Sequence, residues 1–262
     1  MLEFRHVSFA FAGRRDSVEV LNDISFTCAK AETVAVVGPS GCGKSTLMSL
    51  IAGLRAPASG EIAIDGKPVT GPNPALGVLF QHNTLLPWRS VEENVELGLE
   101  IRRVGKAERT AKARALIAQF GLGGFERKYP HALSGGMQKR VALMQTLATE
   151  PRILLLDEPF AALDAQTRLV IEDEVVKVCR AEGRTMLMVT HDIAEAISMA
   201  DRIVVLSRRP ARVKVVFETP LSRRAGSVAE VPAMAEFAGY FRRIWESLEV
   251  SIPGRAEPEA VP

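Results

Sequence analysis

Nine consecutive residues constrain this chain more than any others: Gly38-Pro39-Ser40-Gly41-Cys42-Gly43-Lys44-Ser45-Thr46. They match the pattern of glycine, any four residues, then glycine, lysine and a hydroxyl residue, which forms a phosphate-binding loop when a strand precedes it and a helix follows. Both flanks are present. Thr33-Val34-Ala35-Val36-Val37 reads as a short buried strand, and Leu47-Met48-Ser49-Leu50-Ile51-Ala52 is apolar at helical spacing, with Gly53 as its C-cap. Glycines let such a loop curl until successive backbone N–H groups face inward, at the positive end of the helix. Residues 38–46 are therefore expected to line a nucleotide. Lys44 is expected to reach the outer phosphates, and the Ser45 hydroxyl to ligate Mg²⁺.

At 262 residues the chain fits one large domain, or one domain with a subdomain. Lys plus Arg number 33 against 31 Asp plus Glu, and that near balance argues against nucleic acid as a partner. Arginine pairs at 102–103, 208–209, 223–224 and 242–243 are scattered and read as solvated faces. No run of eighteen apolar residues exists, so the chain is not expected to span a bilayer. Met1-Leu2-Glu3-Phe4-Arg5 lacks the layout of a signal peptide. Cys28, Cys42 and Cys179 are odd in number and far apart, as expected of reduced cytosolic thiols.

Residues 2–9 alternate as a half-exposed strand, followed by Phe11 and a turn at 13–16. Residues 20–26 read as a turn into a second strand, antiparallel to the first, and 60–66 as a third. Gly77-Val78-Leu79-Phe80-Gln81 is a short central strand that delivers a polar side chain at its carboxyl end. Helices then take over. Ser90-Val91-Glu92-Glu93 is a capping box, Lys106 to Phe120 is amphipathic, and Ser134 caps a third helix, so 88–150 forms a helical insertion. Residues 152–159, 185–190 and 202–206 return to the buried-strand pattern, with helices near 164–181 and 192–199. Asp192 with Glu195 caps the latter, and 213–218 adds an edge strand. Tyr240, Phe241, Ile244, Trp245 and Leu248 make an apolar stripe that reads as core packing, and residues 251–262 form a disordered tail.

Transfer of a phosphoryl group to water needs a held Mg²⁺, an oriented water and compensation of developing charge. Asp157 ends an apolar strand, where it can hold Mg²⁺, and Glu158 can position or deprotonate the attacking water. Gln81 and His191 also end central strands, which a doubly wound topology brings to one crevice. Gln81 can bond Mg²⁺ or the water, and His191 the γ-phosphate. Leu133-Ser134-Gly135-Gly136-Met137 opens a helix with free N–H groups suited to an anion. One chain cannot readily place both this helix end and loop 38–46 on one γ-phosphate. A second copy supplying it across a two-fold axis is the economical solution.

With these motifs in this order, the chain resembles the nucleotide-binding subunit of ATP-binding cassette (ABC) transporters. The resemblance rests on Walker A 38–46, the Gln81 loop, the signature 133–137, Walker B 153–158, Ala162-Leu163-Asp164 and His191, and covers residues 2 to about 208. It implies an α/β fold: a RecA-like P-loop NTPase core, an antiparallel β-subdomain and a helical insertion subdomain, in one domain over 1–250. It also implies a head-to-tail homodimer in which ATP on one copy meets Ser134, Gly135 and Gly136 of the other, with Asp164 at the interface. Phe11 falls where the family stacks an aromatic on adenine, and that role is favoured here, although alternation with Phe9 would also fit plain strand packing.

A finer resemblance is to importers of nitrate, sulfonates and taurine, carried by Phe80-Gln81-His82-Asn83-Thr84-Leu85-Leu86-Pro87-Trp88-Arg89 and by Met137 in the signature. It implies transmembrane permease subunits, a periplasmic substrate-binding protein acting through them, and a place on the cytoplasmic face of the inner membrane. Leu85, Leu86 and Trp88 would grip the permease, unless Trp88 is buried locally. Met144-Gln145-Thr146 stands where the family usually has Ala-Arg-Ala, so that arginine's role does not carry over. An ABC ATPase of lipid trafficking, a non-transport ABC protein and a non-hydrolytic regulator are the alternatives, and the intact Asp157-Glu158 pair disfavours the last.

Overall fold

The structure, a computed structural model, describes residues 1–12, 17–81, 84–161 and 163–248. The turn expected at 13–16, His82, Asn83, Ala162 and the tail at 251–262 lie outside the described residues. Strands β1 (Leu2–Ala12) and β2 (Ser17–Cys28) pair antiparallel, Leu2 opposite Cys28 and Phe11 opposite Val18. Next come β3 (Thr33–Val37), α1 (Lys44–Ile51), β4 (Ser59–Ile64), β5 (Lys67–Pro68) and β6 (Leu76–Leu79). Helices α2 (Val91–Ile101), α3 (Lys106–Gln119) and α4 (Gly135–Ala148) follow in succession. The chain then runs through β7 (Ile153–Asp157), α5 (Ala165–Ala181), β8 (Thr185–Thr190), α6 (Ile193–Met199) and β9 (Arg202–Leu206). It closes with β10 (Val213–Glu218), α7 (Leu221–Arg224) and α8 (Phe237–Leu248).

The strands form two sheets. One is antiparallel in the order β2-β1-β4-β5, and the other runs β10-β9-β3-β8-β7-β6, parallel except for β10. Side chains of the parallel strands alternate between two cores, as a period of two requires. Val34, Val36, Leu155, Leu187, Val189 and Val204 face α1 and the antiparallel sheet, so α1 is enclosed between the two sheets. Ala35, Val37, Leu154, Leu156, Met186 and Met188 face the other way, toward the remaining helices. With apolar residues needed on both faces, these strands read as unbroken apolar runs rather than alternating ones.

The helical segment is tied at its start by the expected capping box. Glu93 N–H donates to Ser90 Oγ at 3.3 Å and Ser90 N–H to Glu93 Oε2 at 2.8 Å. Buried Asn94 donates to the carbonyls of Leu86, Arg89 and Ser90 and so fixes the loop before α2. Gln145, in the departure from the family pattern, donates to the Asn94 carbonyl at 3.0 Å and links α4 to α2. Its neighbour Met144 is fully buried.

Three expectations need correction. The strand that leads to Gln81 is not central: β6 stands at the edge of its sheet, with β7 as its one partner among the described residues. In the apolar stripe of α8 only Ile244 is buried. Tyr240, Phe241 and Leu248 are partly covered, while Trp245 is 64 % exposed and stacks on Phe241. Asp192 does cap α6, accepting from the N–H groups of Ala194 and Glu195, but Glu195 does not return the bond. Its side chain turns inward to 7 % exposure, beside Glu172 of α5 at 2 %.

Among the described residues neither Glu172 Oε1 nor Glu195 Oε1 has a hydrogen-bond partner. Burial pushes Glu172 up to about 7, with Asp192 adding to it and Arg168 opposing it. Burial, then Glu172 and Asp192, push Glu195 up to about 8, against the Thr190 hydroxyl and Arg168. Both carboxyls thus hold protons in the folded state that the unfolded chain, titrating near 4.5, has already released. Their contribution to stability is full below about pH 4.5 and is lost as pH rises through about 7 to 8. A Glu195→Gln protein should therefore melt at least about 4 °C above the wild type at pH 9 and close to it at pH 5. Calorimetry at both pH values checks this, and equal shifts at both would remove the protonation account.

Candidate functional site

The loop between β3 and α1 has the conformation that its glycines permit. Gly41 and Gly43 take φ of 74° and 120°, in the region that favours glycine. A Cβ on Gly43 would lie 2.7 Å from Val20 Cγ1, so the loop can rest directly on β2. The Lys44 ammonium is buried and donates to the carbonyls of Gly38 at 2.8 Å and Pro39 at 3.1 Å. Cys42 is buried beside it, and burial pushes its thiol up, which disfavours redox chemistry there.

Four adjacent parallel strands deliver the other candidates to the same edge. In the order β3-β8-β7-β6 their carboxyl ends carry Gly38, His191, Asp157 with Glu158, and Phe80 with Gln81. At about 4.8 Å between neighbours, the row spans roughly 14 Å. Asp157 is buried, and burial raises its carboxyl despite the Ser45 hydroxyl and the nearby ammonium groups of Lys139 and Lys44, which lower it. Successive strand residues point to opposite faces, yet both acids must reach one crevice. A left-handed turn resolves this: Glu158 has φ 47°, with its N–H bonded to the Val189 carbonyl at 2.9 Å. Its carboxylate then lies between two predicted partners. Gln81 Nε2 donates to Oε2 at 3.1 Å, and His191 Nδ1 is 3.2 Å from Oε1.

The signature residues stand apart from this cluster. Ser134 Oγ accepts from the Met137 N–H at 3.3 Å, as an N-cap should. Among the described residues no hydrogen bond joins Ser134, Gly135 or Gly136 to loop 38–46. A Cβ on Gly135 would meet nothing within 4 Å, so this chain itself does not demand glycine there. Asp164 is exposed at the start of α5, where its carboxylate accepts from the Thr167 N–H and is held below its usual range. Phe11 is partly exposed, with its ring edge-on to Phe9. Trp88 is 71 % exposed, which excludes local burial, and Leu85 and Leu86 are half-buried beside it in sequence.

Three residues at the site escape sequence reasoning. Lys139 of α4 donates to the carbonyls of Phe80 and Gln81. Arg209 donates to the Gly41 carbonyl at 2.8 Å, and the Arg55 guanidinium lies 5.0 Å from the Phe11 ring centre. In the sequence Arg209 is half of an ordinary charged pair, and only the fold carries it to the loop.

Known proteins match this arrangement. The family model described as ABC transporter matches residues 21–161, slightly more than half of the chain. This chain belongs to the ABC transporter family. An uncharacterised ABC transporter ATP-binding protein of Methanocaldococcus jannaschii is 48 % identical over 215 residues, 82 % of this chain and 80 % of that protein. A taurine import ATP-binding protein of Yersinia pestis is 46 % identical over 193 residues, 74 % of this chain and 76 % of that protein. Among solved structures, a dimeric ABC transporter cassette in a post-hydrolysis state bound to ADP and Pi aligns with a TM-score of 0.77 at 30 % identity. The alignment covers 84 % of this chain and 99 % of the cassette. The ABC chain described here is thus the ATP-binding, ATP-hydrolysing subunit of a transporter, with the cassette fold that its motifs imply. Among its described residues no helix is long and apolar enough to cross a membrane.

The donors present suit a hard, hydrated cation. Among the described residues no cluster of three His, Cys, Asp or Glu side chains could hold a metal alone. One buried carboxylate, Asp157, with the Ser45 hydroxyl near it, is instead the set that Mg²⁺ uses when phosphates and waters complete its shell.

Proposed function

We propose that this ABC ATPase powers uptake of a small molecule of the taurine, sulfonate or nitrate class through separate permease subunits, from the cytoplasmic face of the inner membrane. Residues 1–250 act as one ATPase domain with 88–150 as its helical subdomain. The observation that carries the hydrolytic part is the Glu158 carboxylate, held between Gln81 and His191 at the strand edge that also bears the phosphate loop.

In this reading loop 38–46 cradles the phosphates, and Lys44 exchanges its bonds to Gly38 and Pro39 for bonds to the outer phosphates. Ser45, Asp157 and Gln81 would hold Mg²⁺, and the ion would supply charge neutralisation on the phosphate oxygens. The attacking water sits against Glu158, whose carboxylate oxygen orients it and accepts its proton as the water oxygen bonds to the γ-phosphorus and the bond from that phosphorus to the bridging oxygen breaks, releasing ADP. His191 donates to the γ-phosphate, and Phe11 stacks on adenine once Arg55 gives way. The protein works as a homodimer, in which Ser134, Gly135 and Gly136 of one copy complete the site of the other and Asp164 lies at the seam. Exposed Trp88, with Leu85 and Leu86, receives the permease.

The cargo class rests on taurine import relatives at 41 % to 46 % identity. Uptake of labelled taurine, an alkanesulfonate and nitrate by cells lacking the gene tests it. The deletion should abolish one of the three uptakes, with restoration by the wild-type gene and not by Glu158→Gln. Normal uptake of all three would leave an ABC ATPase of lipid trafficking as the better reading.

A further inference from the structure

Lys139 is buried to 7 % exposure, yet it forms no ion pair within 4.0 Å among the described residues. Its ammonium spends its bonds on two consecutive backbone carbonyls, Phe80 and Gln81, each at 2.9 Å. Burial lowers its affinity for the proton, while the nearby carboxylates of Asp157 and Glu158 raise it. An unpaired buried ammonium is an expensive way to satisfy two carbonyls that a neutral amide could serve. Its placement is therefore informative. The lysine leaves α4 one turn from Gly135, and the carbonyls it grips belong to the segment from which the Gln81 side chain reaches Glu158.

We propose that Lys139 is a positioning residue: it fixes the backbone at Gln81 and couples the signature helix of a copy to the Gln81 of that same copy. The inference rests on the site reading above, in which α4 faces the partner's nucleotide and Gln81 serves the chain's own. Movement of α4 as the partner's ATP is bound would be passed through the ammonium to Phe80 and Gln81, and so to the contact with Glu158. One rigid link would thereby set the second site of a dimer according to the state of the first.

The test is a double-mutant cycle on the full chain with Mg-ATP as substrate. Lys139→Met, similar in length but without donors, should lower kcat at least about tenfold while the Kd for ATP stays within about threefold. Lys139→Arg, which keeps a cation with several donors, should recover at least about a third of the rate. Combined with Gln81→Ala, Lys139→Met should cost no more than Gln81→Ala alone, because both act through one amide. Additive losses, or a wild-type rate in Lys139→Met, would overturn the proposal. Should Lys139→Met not fold, Lys139→Leu, which also lacks donors, takes its place in the cycle under the same criterion. If Gln81→Ala itself turns over normally, the site reading fails. If Gln81→Ala is slow while Lys139→Met is not, only the coupling role fails.

Discussion

A Glu158→Gln protein should bind ATP almost as the wild type does and hydrolyse it roughly 10²- to 10⁴-fold more slowly. The side chains are nearly isosteric, and the amide oxygen can still accept from Gln81 or His191, the two partners that hold the carboxylate. What is lost is the basic oxygen that takes the proton of the attacking water. Nothing in loop 38–46 is altered, so binding should persist and the ATP-bound dimer should accumulate. Steady-state phosphate release measures the first effect, and size-exclusion chromatography with ATP measures the second. Wild-type turnover in this variant would remove Glu158 from the role of base.

Two inactive variants should restore activity when mixed. Gly135→Asp places a carboxylate where a Cβ finds open space within its own chain, so the fold should tolerate it, with a melting temperature near wild type. Across a two-fold interface the same carboxylate would confront a γ-phosphate, and hydrolysis should fall below detection. Lys44→Ala loses the ammonium now bonded to Gly38 and Pro39 and should lose nucleotide binding. In a mixed dimer the intact loop of one copy meets the intact signature of the other. Random pairing of equal amounts should then leave about a quarter of the wild-type sites complete. Rates of mixed and separate preparations decide the matter. No gain on mixing would mean that the signature does not serve its partner.

Much of this could be read before any fold was known, because the motifs are local and their physics is local. Loop 38–46 needs only its own glycines and its two flanks. Gln81, Asp157 and His191 announce themselves as polar residues ending apolar runs, and the parallel topology then gathers them at one edge. The strand order that makes them neighbours is not a local property, since β3 is paired with β8 and β9, far along the chain. The misread residues have the same origin. Glu195 fits a capping-box pattern, but it is buried beside Glu172 instead of at the helix start. Trp245 sits in register with an apolar stripe, yet the core that receives Ile244 does not extend far enough to cover it. Lys139 lies within the most recognisable helix of the insertion, and only a distant pair of carbonyls gives it meaning.

The left-handed backbone at Glu158 has a consequence for how this sequence is maintained. An L-residue there costs about 1–2 kcal/mol relative to a relaxed conformation, whereas glycine, and to a lesser degree asparagine, adopts the same φ easily. On the proposed role of Glu158 as base, a glycine at this position would tighten the fold and silence the enzyme. Selection for stability alone would drift away from glutamate.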